Sequence, residues 1–220
     1  MSRPPLLIVA ASGLGRETVE AVRAAGTYEP VGVLDDDPAR CGSTAAGVAV
    51  RGPAEAAAEE PDAAVVLCAG SGQARAAIAA RLAAAGVGEE RYATVVHPAA
   101  VVPASARLGA GTILLAGVVL TADVSVGRHV VLMPNAVLTH DDELADFVTV
   151  CAGVALAGAV RVGQAAYLGA GSLVRERCTV GAGAVLGLGA VAVRDVPAGQ
   201  VWVGNPARPL VRPVAVGGVA

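Results

Sequence analysis

Three histidines occur in the 220 residues, and one of them, His140, stands beside a carboxylate, Asp141. An imidazole changes charge near neutrality, so it can take a proton from a nucleophile as that nucleophile attacks. An adjacent carboxylate can hold the ring's tautomer and raise its basicity. The competing reading is a solvated histidine in a turn. His129 reads as a surface or interface residue. His97, within His97-Pro98-Ala99-Ala100, reads as a structural hydrogen-bonding group where two domains join. Cys41, Cys68, Cys151 and Cys178 lack CxxC spacing, which suits a reduced, cytoplasmic protein. Cys151 and Cys178 read as packing residues rather than nucleophiles. Gly13, Leu14 and Gly15 precede a helical pattern, whose first N–H groups can hold a phosphate. A tight strand-to-helix turn would use the same glycines. Asp35 and Asp36 follow an apolar run, where an acidic residue can accept hydrogen bonds from a base or ribose, or merely solvate a turn ended by Pro38.

Composition limits the scaffold that could position these groups. Charged residues make up 16% and aromatic residues 2%, with one Phe, one Trp and three Tyr. The core must therefore come from Val, Leu and Ala, which favours thin, repetitive packing over an irregular globule. A net charge of −3 with no basic run argues against nucleic acid as a main partner. Gly, Asp, Glu or Arg interrupts every apolar stretch before it reaches the ~18 residues of a membrane span. The N-terminus has no signal-peptide pattern.

Residues 6–10, 31–34 and 63–68 are short apolar runs read as buried strands. Between and after them, residues 15–25, 54–60 and 74–85 have helical patterns. This alternation predicts an α/β domain with a parallel sheet over residues 1–92. From Val96 to Leu186 every sixth residue is Val or Leu, without insertion. The position four later is small or Val throughout, with Asp142 the one break. Each hexad makes a short strand and a turn, and three sides close a triangular coil. Stacked coils bury a continuous aliphatic column that no single coil could bury. Gly109, Gly127, Gly163, Gly169, Gly181 and Gly187 follow the aliphatic position, where a turn would tolerate few other residues. His140 falls in a turn of this repeat and should point outwards. Pro197, Pro206, Pro209 and Pro213 predict an irregular tail.

The repeat resembles that of the left-handed β-helix acyltransferases. Residues 9–17, then Leu34-Asp35-Asp36-Asp37-Pro38, then Val96-His97-Pro98-Ala99-Ala100, then His140-Asp141 with Asp146-Phe147-Val148, and finally Gly204-Asn205-Pro206-Ala207 occur in the order seen in NeuD/PglD-type nucleotide-amino-sugar and sialic acid acetyltransferases. The resemblance covers nearly the whole chain. It implies a Rossmann-like domain over 1–92 that binds a sugar nucleotide through Gly13, Leu14, Gly15, Asp35 and Asp36. A left-handed parallel β-helix follows over 93–220. The resemblance also implies acetyl-CoA as cosubstrate, lying between neighbouring subunits of a homotrimer against Thr149, Gly158, Ala170, Leu188, Asn205 and Arg208. His140, supported by Asp141, would be the general base for direct transfer to an amine, with the Gly158 N–H facing the oxyanion. The same site could O-acetylate a sialic-acid-like sugar, and a non-catalytic scaffold or ligand sensor is a third reading. A metal is not expected. The γ-class carbonic anhydrases share the solenoid and bind zinc with three histidines, the last two close in sequence, whereas His129 and His140 are eleven residues apart. The chain also departs from the family. Ala10-Ala11-Ser12-Gly13-Leu14-Gly15 replaces Gly-x-Gly-Gly-His-Gly, Asp142 stands where Cys is frequent, and Thr149 stands where a second histidine is common.

Overall fold

The computed structural model describes residues 3–210, so Pro213 of the tail lies outside the described residues. The α/β part runs β1 (Pro5–Val9), α1 (Gly13–Ala25), β2 (Glu29–Leu34), β3 (Thr44–Ala45), β4 (Val48–Gly52), β5 (Ala64–Leu67) and α2 (Gly72–Ala84). The sheet order is β3-β4-β2-β1-β5, parallel except for the β3–β4 pair. Leu6, Leu7, Ile8 and Val9 of the interior strand β1 are all buried, because this sheet is covered on both faces. That is why its strands read as unbroken apolar runs. Residues Ala54–Glu59 form a 3-10 helix and not the expected α-helix. Pro53 opens it, and the Ala54 N–H is taken by Asp36 from across the sheet edge (3.1 Å). The short β3–β4 hairpin had no signal beyond Val48 and Val50.

At Val95 the chain enters a prism of two-residue strands in parallel register. Ser125 pairs with Glu143, Val131 with Thr149 and Val137 with Ala155, so one coil takes three hexads. The junction face carries Val95–Val96, Ile113–Leu114, Val131–Leu132, Thr149–Val150, Tyr167–Leu168 and Val185–Leu186, and it packs against the α/β part. The second face carries the strands from Val119–Leu120 to Val191–Ala192, and the third those from Arg107–Leu108 to Thr179–Val180. Leu120, Leu138, Leu156 and Val174 stack inside, as do Val126, Leu144, Val162 and Val180.

The glycines after the aliphatic positions serve a different purpose from the one expected. None of the six has a positive φ. A Cβ on Gly109 would meet the carbonyl carbon of Gly127 at 2.5 Å, and one on Gly127 would meet that of Ala145 at 2.7 Å. These glycines permit close stacking of coils. The left-handed turn position lies two residues later and is often not glycine: Asn135 (φ 61°), Asp141 (φ 62°) and Arg177 (φ 61°) occupy it.

The tail is not irregular where it is described. Val201–Val203 pairs with Val185–Leu186 and folds back antiparallel on Arg208–Pro209. Trp202 plugs the end of the aliphatic column at 5% exposure, its indole N–H donating to Gln200 Oε1 (2.8 Å). A stacked array needs such a cap to keep its last coil from exposing apolar surface. Among the described residues no helix is long and apolar enough to cross a membrane.

Candidate active site

His140 and Asp141 lie in the corner between the second and third faces. Both side chains are mostly exposed, so the histidine points outwards as its place in the repeat predicts. The left-handed φ of Asp141 turns its carboxylate back onto the preceding ring, Oδ2 lying 2.9 Å from His140 Nδ1. A carboxylate only accepts, so Nδ1 carries the proton and Nε2 is left as the basic atom. One coil further on, the ring lies against Gly158, where an added Cβ would come within 2.5 Å of Cε1. Gly158 has no positive φ, so an alanine there is conformationally permitted and its methyl would displace only the imidazole. We therefore expect Gly158→Ala to fold with a melting temperature close to the parent's and to lose roughly tenfold or more in turnover, since small misplacements of a reacting group are costly. Undiminished turnover would show that the ring's position is not critical.

The Gly158 N–H donates to the Thr139 hydroxyl, which itself donates to the Leu156 carbonyl (3.0 Å). It is therefore engaged, and an oxyanion role would require it to exchange partners. Ala170 and Leu188 lie in the corner between the junction and second faces, on the far side of the second face from His140. Leu188 is 79% exposed, the barest large apolar side chain among the described residues. Asn205 and Arg208 are exposed in the C-terminal hairpin beyond it. Thr149 does not join this group. It is buried in the junction face, donates to the Gly70 carbonyl (3.0 Å) and accepts from Arg75 (3.0 Å), so nothing of it is presented to an external ligand.

His129 corrects the surface reading. It is 5% exposed, stacked on Phe147 (5.1 Å between centroids) and met edge-on by Tyr92 (4.4 Å). Burial, then the Arg128 and Arg75 cations, push its pKa down to about 4. It is thus neutral near pH 7 and remote in role from His140. His97 accepts from the Ala99 N–H (3.0 Å) where the prism begins, and it lines a cleft against Glu17 and Glu20 of α1.

At the other candidate site, Ser12 caps α1. Its hydroxyl accepts from the Gly15 N–H (3.0 Å) and donates to the Cys68 carbonyl (2.7 Å). Leu14 is buried in the core, and a Cβ on Gly15 would collide with the Ala10 carbonyl oxygen. Only Gly13 of the three faces open space. Ala10 has φ 87°, the conformation glycine adopts freely; the loop's shape survives the loss of that glycine at a cost of about 1 kcal/mol. Asp35 accepts from the Ala11 N–H (2.7 Å) and the Asp37 N–H (3.0 Å), bracing the loop. Asp36 is clasped by Arg81 through two bonds (2.7 and 3.1 Å), which hold its carboxyl below the usual carboxylate range. Arg16, inside the 9–17 motif though not singled out there, and Arg40, which no sequence signal marked, border a cleft of about 280 Å³ with Ser12, Gly13 and Ser43. Arg16 brings the positive charge that a phosphate-bearing ligand needs, whereas Arg40 already donates to the Ala11 carbonyl (2.6 Å) and lies 3.6 Å from Asp37.

Sequence reasoning also missed Arg75. It is fully buried, reaching from α2 into the junction face. Its guanidinium donates to the carbonyls of His129 (2.9 Å), Phe147 (2.9 Å), Val148 (3.0 Å), Ala69 (2.8 Å) and Gly70 (3.1 Å).

A family model described as the PglD N-terminal domain matches residues 5–82. No curated protein matches the chain. Solved structures match over almost its whole length. The acetyltransferase domain of PglB from Neisseria gonorrhoeae FA1090, in complex with acetyl coenzyme A, is 31% identical; the match covers 95% of this chain and 100% of that one, with a TM-score of 0.85. PerB from Caulobacter crescentus, in complex with CoA and GDP-perosamine, is 31% identical over 94% of this chain and 97% of that one, with a TM-score of 0.85. WeeI from Acinetobacter baumannii AYE is 27% identical over 93% and 99%, with a TM-score of 0.83. With this identity sustained over both parts, the chain belongs to the NeuD/PglD-type family of sugar acetyltransferases, a Rossmann-like domain followed by a left-handed parallel β-helix.

Proposed function

We propose that this protein transfers the acetyl group of acetyl-CoA to an amino group of a nucleotide-linked sugar, in the cytoplasm and as a homotrimer. The observation that carries the reading is the outward His140 imidazole, tied through Nδ1 to Asp141 and set over the side-chain-free Gly158. As the amine attacks the thioester carbonyl, Nε2 takes the amine proton. Collapse of the tetrahedral species breaks the C–S bond, and the imidazolium returns the proton to the leaving thiolate. No covalent enzyme intermediate is needed. Acetyl-CoA would lie along Ala170 and Leu188, with its nucleotide end near Asn205 and Arg208. The nucleotide of the acceptor would lie at Gly13 and Asp35, with Arg16 at the cleft's rim to meet its phosphates.

Where these groups sit supports the trimer. In one chain the second face separates the His140–Gly158 corner from the Ala170–Leu188 corner. A ring of copies brings one chain's base corner to its neighbour's exposed Leu188 corner, and each seam then holds a complete site. The neighbours' bound ligands support the same assignment, since acetyl-CoA is found with the Neisseria domain and GDP-perosamine with the Caulobacter enzyme.

The test is release of free CoA from acetyl-CoA against a panel of UDP-, GDP- and dTDP-linked amino sugars and unaminated controls, with mass measured in solution. One amino sugar nucleotide should support turnover by a trimeric particle. Acetyl-CoA binding without thiol release for any amine would leave a scaffold or sensor, and turnover only with hydroxyl acceptors would make it an O-acetyltransferase.

A further inference from the structure

The prism has a regular ladder that breaks at one corner. Where the second face meets the third, the first corner residue normally donates its N–H to the next coil: Thr121 to the Leu138 carbonyl (3.1 Å), Ala157 to Val174 (3.0 Å) and Arg175 to Ala192 (2.9 Å). At the coil of His140 this bond is replaced. The Thr139 N–H turns to Asp142 Oδ2 (2.8 Å), and the Thr139 hydroxyl takes over the Leu156 carbonyl (3.0 Å) and the Gly158 N–H. The other oxygen of Asp142 crosses to the next coil and accepts the Val160 N–H (2.8 Å). In the following coil the equivalent N–H, that of Cys178, stays within its own turn, bonding the Arg175 carbonyl (3.3 Å).

Asp142 is fully buried and occupies the interior column that every other coil fills with a small or aliphatic residue. Burial pushes its carboxyl up to about 6, against the pull of its two N–H donors. An ionisable group in such a place is costly to keep. Its two bonds land on the residue before His140 and on the second residue after Gly158, so it clasps the two corners between which the imidazole sits.

We infer that Asp142 is a positioning residue of the acetyl transfer: its carboxylate, with the Thr139 hydroxyl, replaces the backbone ladder locally and fixes the offset at which the His140 ring stands over Gly158. The inference rests on His140 being the base. Without the clasp the two corners can relax to the ordinary ladder, which moves the ring relative to the thioester while leaving the acetyl-CoA edge, across the second face, untouched.

The experiment compares Asp142→Ala, Asp142→Asn and His140→Ala at pH 8, where the carboxyl is ionised, measuring kcat, the KM for acetyl-CoA and thermal stability. Asp142→Ala is expected to lower kcat by about 10²-fold with that KM changed by less than about threefold, because misplacing a catalytic group costs rate and not binding. Asp142→Asn keeps one acceptor oxygen and should fall between. If His140→Ala is inactive but Asp142→Ala keeps kcat within about twofold of the parent, the inference is wrong and the catalytic reading stands. If His140→Ala retains turnover, the catalytic reading itself fails. Should the alanine variant not fold, Asp142→Asn decides, and a parental kcat in that variant overturns the inference.

Discussion

His140→Ala should lower turnover by about 10²–10⁴-fold, the usual contribution of a positioned general base. Acetyl-CoA should bind with nearly parental affinity. The imidazole is mostly exposed, bonded to the equally exposed Asp141 and set against Gly158, so its removal opens no buried cavity and orphans no buried polar group. Stability should therefore be unchanged, which separates lost chemistry from lost fold. His140→Asn is the sharper variant, since an amide keeps polarity and much of the volume yet cannot take a proton at neutral pH. Asp141→Asn should cost less than either. The amide oxygen can still accept from Nδ1–H and orient the ring, but it cannot stabilise the imidazolium. Thiol-release kinetics alongside calorimetric titration with CoA provide both readings. A His140→Ala variant within tenfold of parental turnover would remove this residue from the mechanism.

The second large effect is on stability. Arg75→Met should cost about 3–5 kcal/mol, since several carbonyls at the junction lose their donor at ~1–3 kcal/mol each. For a chain of this size that is roughly a 10 °C fall in melting temperature. Among the described residues no carboxylate neutralises this guanidinium; five carbonyls and the Thr149 hydroxyl surround it instead. Burial lowers its pKa only to about 10, so it remains cationic at neutral pH. Methionine would fill much of the volume but leave the His129, Phe147 and Ala69 carbonyls without the donor that Arg75 supplies, whereas Val148 keeps the Val131 N–H and Gly70 the Thr149 hydroxyl. Arg75→Lys should be nearly as damaging, because one ammonium cannot span acceptors on both sides of the junction. The loosened contact lies between the loop after β5 and the junction face, so the KM for the acceptor should rise before that for acetyl-CoA. Thermal melts and acceptor kinetics check both points, and a melting temperature within 2 °C of the parent's would refute the argument.

The sequence by itself determined the order of the two parts, the three-sided coil and the outward placement of His140. Each follows from a local periodicity: apolar runs alternating with helical patterns for the sheet, and a six-residue step for the prism. The period also exposed Asp142 as an anomaly, because a carboxylate in a column of Val and Ala breaks a strict rule. What the period cannot express is which face of the prism is covered. It treats all three sides alike, so Thr149 on the junction face and Glu143 on the third face have equivalent positions, yet one is buried and the other exposed. The period leaves His129 a surface or interface residue, the resemblance alone places Thr149 against acetyl-CoA, and Arg75 resembles any arginine of an Ala-rich helix. Only the docking of α2 and the loop before it onto that face decides their burial. The same limit applies to the glycines, whose role depends on how closely successive coils stack, a distance set by the whole prism and not by any one hexad.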